Sequence, residues 1–103
     1  MSNPAQRPDY LITAVRFKKE KRHIELVKIW KDESNQVSNP QTVPRSSIVS
    51  AIERGTSFMT AYDKGGRWWR GAAVETVLIN GTKFIRTDQD RIEEDNLGEL
   101  PEF

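Results

Sequence analysis

Residues 72–87 read AAVETVLINGTKFIRT: two runs rich in β-branched and aromatic side chains on either side of Asn80-Gly81. Asn-Gly between such runs predicts a two-residue type I′ turn, because both central residues must take positive φ. That turn sets the register, with Ile79 opposite Thr82, Val77 opposite Phe84 and Glu75 opposite Arg86. The remaining face carries Val74, Thr76, Leu78 and Ile85, so both faces hold apolar residues. A hairpin covered on two sides is expected at the centre of a sheet, under a helix on one side and the C-terminal tail on the other.

Working outward, residues 10–17 (YLITAVRF) and 24–30 (IELVKIW) read as two strands of a hairpin joined by the charged connector KKEKRH. In the second strand Ile24 and Leu26 share one parity while Val27 and Ile29 share the other. Either both faces are covered or a bulge shifts the register. Residues 32–43 are polar and aperiodic, a loop longer than the usual connection of about 4 to 6 residues. Residues 44–55 (PRSSIVSAIERG) predict the helix: Ile48, Val49 and Ile52 form its apolar stripe, Pro44 suits the first turn, and Gly55 suits a left-handed C-terminal cap. Thr42 or Val43 is the N-cap candidate. Residues 57–64 read as a further strand, with Phe58, Thr60 and Tyr62 on one face and Met59 and Ala61 on the other.

These elements predict an α+β fold: a mainly antiparallel sheet of about five strands in the order ββαβββ, with one helix packed on a face. Residues 1–9 are expected to be a flexible N-terminal segment and residues 10–103 a single domain. Its core is expected to contain Ile12, Val15, Ile24, Leu26, Ile48, Ile52, Phe58, Val77 and Phe84. The acidic tail ends this domain, with Leu97, Leu100 and Phe103 docked while its charges stay in water.

Composition narrows the function classes. The chain has 103 residues, no cysteine and a net charge of +1, which excludes a disulfide framework, a thiolate metal site and a cysteine nucleophile. The N-terminal MSNPAQRPDY has neither a signal-peptide nor an anchor pattern, and no run approaches the length of a spanning helix. A soluble cytoplasmic protein that does not engage membranes is expected. Charge is unevenly spread: seven basic residues against Glu20 and Glu25 between Arg16 and Lys31, then seven acidic residues against Arg91 between Asp88 and Glu102.

No catalytic set can be assembled from these residues, and the expectation is a protein that is not an enzyme and uses no cofactor or metal. His23 sits in a basic connector without a nucleophile beside it and reads as an exposed loop or strand-edge residue. Ser46, Ser47 and Ser50 lie at the helix start, and no GxSxG turn surrounds them. Gly65, Gly66 and Gly71 precede a strand rather than a helix, unlike a phosphate loop. Asp88, Asp90, Glu93, Glu94 and Asp95 lack calcium-loop spacing and read as a solvated acidic tail.

The stretch KGGRWWRG (64–71) is the remaining candidate. Gly65-Gly66 makes a bend, and Trp68-Trp69 opens the next strand, where alternation predicts one ring packed inward and one outward. The predicted binding residues are Arg67, Trp68, Trp69 and Arg70, with Lys18, Lys19, Lys21 and Arg22 of the basic connector. Tryptophan and arginine are enriched at interface hot spots, so a protein partner is the first expectation for a non-catalytic interaction module. Single-stranded nucleic acid is the alternative, with bases stacked on the rings and phosphates on the connector. Oligomeric state is left open, since either sheet edge offers a surface for a second copy.

The order ITAVR (12–16), a helix ending IERG (52–55), a strand with Tyr62, NG-x-KFIRT (80–87), then DNL (95–97) and LP (100–101) resembles a small bacterial and archaeal family, domain of unknown function 3892. The resemblance runs from Tyr10 to Pro101. Its pattern falls on Ile12, Thr13, Ala14, Val15 and Arg16, on Ile52, Gly55, Gly81, Arg86 and Thr87, and on Asp90, Asp95, Asn96, Leu97, Leu100 and Pro101. It implies no activity. The chain departs from it in the long polar loop and in the Trp68-Trp69 pair, which occupies what is usually a plain glycine-rich turn. A function peculiar to this protein is expected at those departures.

Overall fold

The computed structural model describes residues 8–19, 23–31, 39–88 and 94–103. Along the chain these form β1 (Tyr10–Phe17), β2 (Ile24–Lys31), β3 (Gln41–Pro44), α1 (Arg45–Glu53), β4 (Phe58–Lys64), β5 (Arg67–Ala73), β6 (Glu75–Ile79) and β7 (Thr82–Arg86). Five strands make one sheet in the order β3-β2-β1-β4-β5. It is antiparallel except where residues 10–12 of β1 run parallel to residues 58–60 of β4, a pairing the helical crossover permits. The α+β class and the mainly antiparallel sheet of five strands are therefore as predicted. Among the described residues no helix is long and apolar enough to cross a membrane.

The hairpin of residues 75–86 has the predicted register throughout, and its turn has φ of 49° at Asn80 and 82° at Gly81. Its position is different. It forms a separate two-stranded ribbon rather than the centre of the sheet, because the chain leaves the sheet at Val74. That side chain is buried in the main core, and its N–H donates to the Phe58 carbonyl at 2.9 Å. The two apolar faces then serve two clusters: Ile85 joins the main core, while Val77, Ile79 and Phe84 form their own. Leu78 remains exposed.

The parity conflict in β2 resolves as a bulge. Pairing passes from Arg16↔Leu26 to Phe17↔Ile24, leaving Glu25 as the extra residue, and this returns Ile24 to the face of Val27 and Ile29. Those three are buried, whereas Leu26 is only half-buried. Val27 thus takes the core place expected of Leu26. Ile52 is also half-buried, packed against the core, and the other seven predicted core residues are buried. A second irregularity falls at Thr13, between Ile12↔Ile29 and Ala14↔Lys28.

The polar loop ends earlier than predicted, since residues 41–44 pair with β2 as an edge strand. Pro44 is the N-cap residue, with no side-chain hydrogen bond, so neither Thr42 nor Val43 caps the helix. The C-terminal cap is as predicted. Gly55 has φ of +97°, its N–H bonds to Ile52 O at 3.0 Å, and the Thr56 N–H bonds to Ala51 O at 2.9 Å, which is the Schellman arrangement. A Cβ on Gly55 would meet nothing within 4 Å. Gly55→Ala should therefore lose only the left-handed backbone penalty, about 1 kcal/mol in a urea unfolding experiment.

The acidic tail is not simply solvated. Asp95 is buried and accepts hydrogen bonds from Ile24 N (2.8 Å), Arg45 Nε (2.7 Å) and Ile85 N (2.9 Å). Arg86, 1% exposed, donates to Asp88 Oδ1 at 2.8 Å and to Glu94 O at 2.7 Å. Burial of these charges requires partners, and segment 94–96 supplies them. His23 is half-buried rather than exposed, stacked on Phe84 with ring centroids 5.5 Å apart. Leu97 and Leu100 are buried as predicted, and Phe103 lies beneath Arg16 and Lys28. The predictions for residues 1–7, for the loop over 32–38 and for Asp90 and Glu93 fall outside the described residues. Asp9, at the other end, exchanges hydrogen bonds with Ser57.

Candidate functional site

The edge of β1 changes partner along its length. Residues 10–12 face β4, but at Val15 the same edge is taken by the C-terminal segment: Val15 N donates to Pro101 O at 2.9 Å and accepts from Phe103 N at 3.0 Å. β2 already occupies the opposite edge. Between the two partners lies Thr13, at the bulge, and there β4 and the C-terminal segment diverge like the arms of a fork.

Beyond Thr60, β4 is paired only with β5, which ends the sheet and is exposed along all seven residues. Gly65 and Gly66, with φ of 62° and 83°, close this ribbon, and Asp63 Oδ1 accepts the Gly66 N–H at 3.1 Å. Strand alternation holds, since Asp63 pairs with Trp68 and Tyr62 with Trp69, sending the two rings to opposite faces. Yet Trp68 is 58% exposed and Trp69 52%, so the predicted inward ring does not exist. A ring packs inward only where another layer covers its face, and this ribbon extends past the core. Arg67 lies over the Trp69 ring, 5.6 Å from its centroid.

A groove of about 600 Å3 fills the fork. Tyr62, Asp63 and Lys64 form one wall, Gly98, Glu99 and Pro101 the other, with Thr13 and Trp68 completing the lining. Gly98 is needed twice: its φ is +80°, and a Cβ there would come within 2.9 Å of Tyr62 Oη. A smaller apolar pocket of about 120 Å3 adjoins it, lined by Leu11, Thr13, Trp30 and Trp68. Trp30 Nε1 donates to Thr13 Oγ1 at 2.9 Å, which orients the indole of Trp30 along this pocket. Thr13 and Trp68 belong to both.

Of the predicted binding residues, the structure gathers Arg67, Trp68, Trp69 and Arg70 on one edge strand. Lys18 and Lys19 are exposed at the far end of β1, where the C-terminal segment occupies the edge between them and the tryptophan ribbon. The structure therefore does not bring the basic connector to the tryptophans. Lys21 and Arg22 lie outside the described residues. Sequence reasoning missed Thr13, Trp30, Tyr62, Asp63 and Glu99 as site residues, because the fork depends on a change of strand partner between segments more than 80 residues apart in the chain. Among the described residues no group of three or more His, Cys, Asp or Glu side chains is placed to hold a metal ion.

A family model described as protein of unknown function (DUF3892) matches residues 11–101. No curated protein and no solved structure matches the chain.

Proposed function

The chain belongs to the DUF3892 family, whose function is unknown, and on that footing we propose that it is a non-catalytic interaction module that holds a protein partner on the tryptophan ribbon of β4 and β5. One observation carries this: two adjacent tryptophans, each more than half exposed, on a terminal strand. Tryptophan brings a large apolar area and a single polar handle, and it dominates interfaces for that reason. A terminal strand also presents unpaired backbone groups that natural proteins cover or use.

The test is the double substitution Trp68→Ala with Trp69→Ala. Because both rings are exposed, thermal stability should change little. Affinity for the partner isolated on the wild-type protein should fall about 100-fold, as loss of two hot-spot residues implies. Retention of that partner at unchanged affinity would remove the proposal.

The cation–π pair of Arg67 and Trp69 favours a second reading, a stacking platform for unpaired bases. Asp63 and Glu99 beside Trp68 oppose phosphates, which is why it stands second. Quenching of tryptophan emission by a single-stranded oligonucleotide at low salt, weakening steeply as salt rises, would promote it. Unchanged emission would discard it.

A further inference from the structure

We propose that the fork groove recognises an extended segment of the protein partner through a basic side chain, Lys or Arg, and an apolar side chain two positions away. This rests on the interaction-module reading and names the chemistry of the partner. The groove offers the two features that select a cation: aromatic faces, from Tyr62 and Trp68, and carboxylates on opposing walls, from Asp63 and Glu99. A cation held over an indole face gains from the ring quadrupole, more so as water is displaced. Among the described residues the ion pairs are those of Asp95, Lys83 with Glu53, and Arg86 with Asp88, and none uses Asp63 or Glu99. The lining holds a single cation of its own, Lys64, against these two carboxylates, so the charge balance fits a basic rather than an acidic guest.

The apolar pocket supplies the second requirement. It shares Thr13 and Trp68 with the groove, so the two compartments lie side by side along one indole. Alternate side chains of an extended chain point to the same side about 6.5–7 Å apart, the spacing that adjoining compartments need. The fork also has a backbone to pair with. In a two-residue hairpin the residues flanking the turn, Lys64 and Arg67, exchange hydrogen bonds with each other, so those of the next pair point away. The N–H and C=O of Asp63 therefore face the fork, where β1 no longer pairs with β4. An extended segment entering there gains main-chain hydrogen bonds while its side chains fill the two compartments, the mode of β-strand addition.

The experiment uses the full chain, labelled with 15N, and blocked peptides acetyl-Ala-Arg-Ala-Leu-Ala-amide and acetyl-Ala-Leu-Ala-Arg-Ala-amide, which cover both strand directions. At least one should shift the Trp68 indole and the Thr13 and Glu99 amides. Replacing its Arg by Gln should weaken binding about tenfold, as loss of a cation–π contact and a partly screened ion pair implies. The double variant Asp63→Asn with Glu99→Gln should abolish that tenfold preference while leaving the Gln peptide unaffected. Equal binding of Arg and Gln peptides, or no shift at these three residues with either direction, overturns the inference. Failure of the broader reading looks different. If the tryptophan double variant loses the natural partner but the carboxamide variant keeps it at full affinity, the module reading stands and the basic-residue groove falls.

Discussion

Asp95→Ala is expected to lower the unfolding free energy by about 3–5 kcal/mol, the cost of removing one partner from a buried charged network. Its Oδ2 serves both the Ile24 N–H and the Arg45 guanidinium, and its Oδ1 serves the Ile85 N–H. Alanine leaves two buried amides without acceptors, each costing about 1–3 kcal/mol. Arg45 keeps its bond to the Lys83 carbonyl and is partly open to water, with 21% of its side chain exposed. That relief places the result toward the lower end. A chain of this size has about 5–15 kcal/mol of stability in total, so the loss is a large fraction of it. Because Asp95 ties the first residue of β2, the first residue of α1 and the middle of β7, the effect should also be regional. Amide exchange at Ile24 and Ile85 should accelerate more than at Val15, whose bonds lie on the other edge. A urea titration showing less than about 1 kcal/mol of loss, a typical single hydrogen bond, would contradict the network.

The second large effect is expected at Gly71. A Cβ there would stand 2.2 Å from Thr60 Oγ1 and 2.6 Å from Tyr62 Cε2. Thr60 is fully buried, and its hydroxyl accepts the Ala72 N–H at 3.0 Å, where the β4–β5 ladder is irregular between Met59 and Ala61. It has no room to retreat, so β5 must lift. Gly71→Ala should cost about 2–3 kcal/mol, in the range of core overpacking, which exceeds the cost of Gly55→Ala although the substitution is chemically the same. Combining it with Thr60→Ala removes the nearest clashing atom. The double-mutant cycle should return a coupling of more than about 1 kcal/mol, as for residues in direct contact. Because Tyr62 and Trp68 both line the groove, Gly71→Ala should weaken peptide binding as well. Additive losses in the cycle would show that the contact is not the cause.

Comparing these two residues shows where the sequence is legible. Gly71 stands among small residues and carries no local sign of the Thr60 contact, which is set by a bulge in a neighbouring strand. Asp95 stands beside Glu94 in an acidic stretch, and nothing in its neighbours marks it as the one taken inside. Trp68 and Trp69 show the converse: alternation correctly puts them on opposite faces, but whether a face is covered depends on how far β4 runs alongside β1.

What the sequence determined by itself is local in origin. Positive φ at Asn80-Gly81 sets the 75–86 register, a left-handed glycine ends the helix at Gly55, and apolar residues at Leu97 and Leu100 draw the tail onto the core. Backbone sterics and burial of nearby apolar groups act within a few residues, so each leaves a pattern that can be read along the chain. Tertiary structure alone decided that this hairpin leaves the main sheet, that Glu25 is bulged, that Asp95 is buried, and that a groove opens where β1 exchanges β4 for the C-terminal segment. Each of these depends on which distant segments compete for one strand edge or one buried donor. That competition is settled by the sum of the packed contacts rather than by the residues adjoining any one of them.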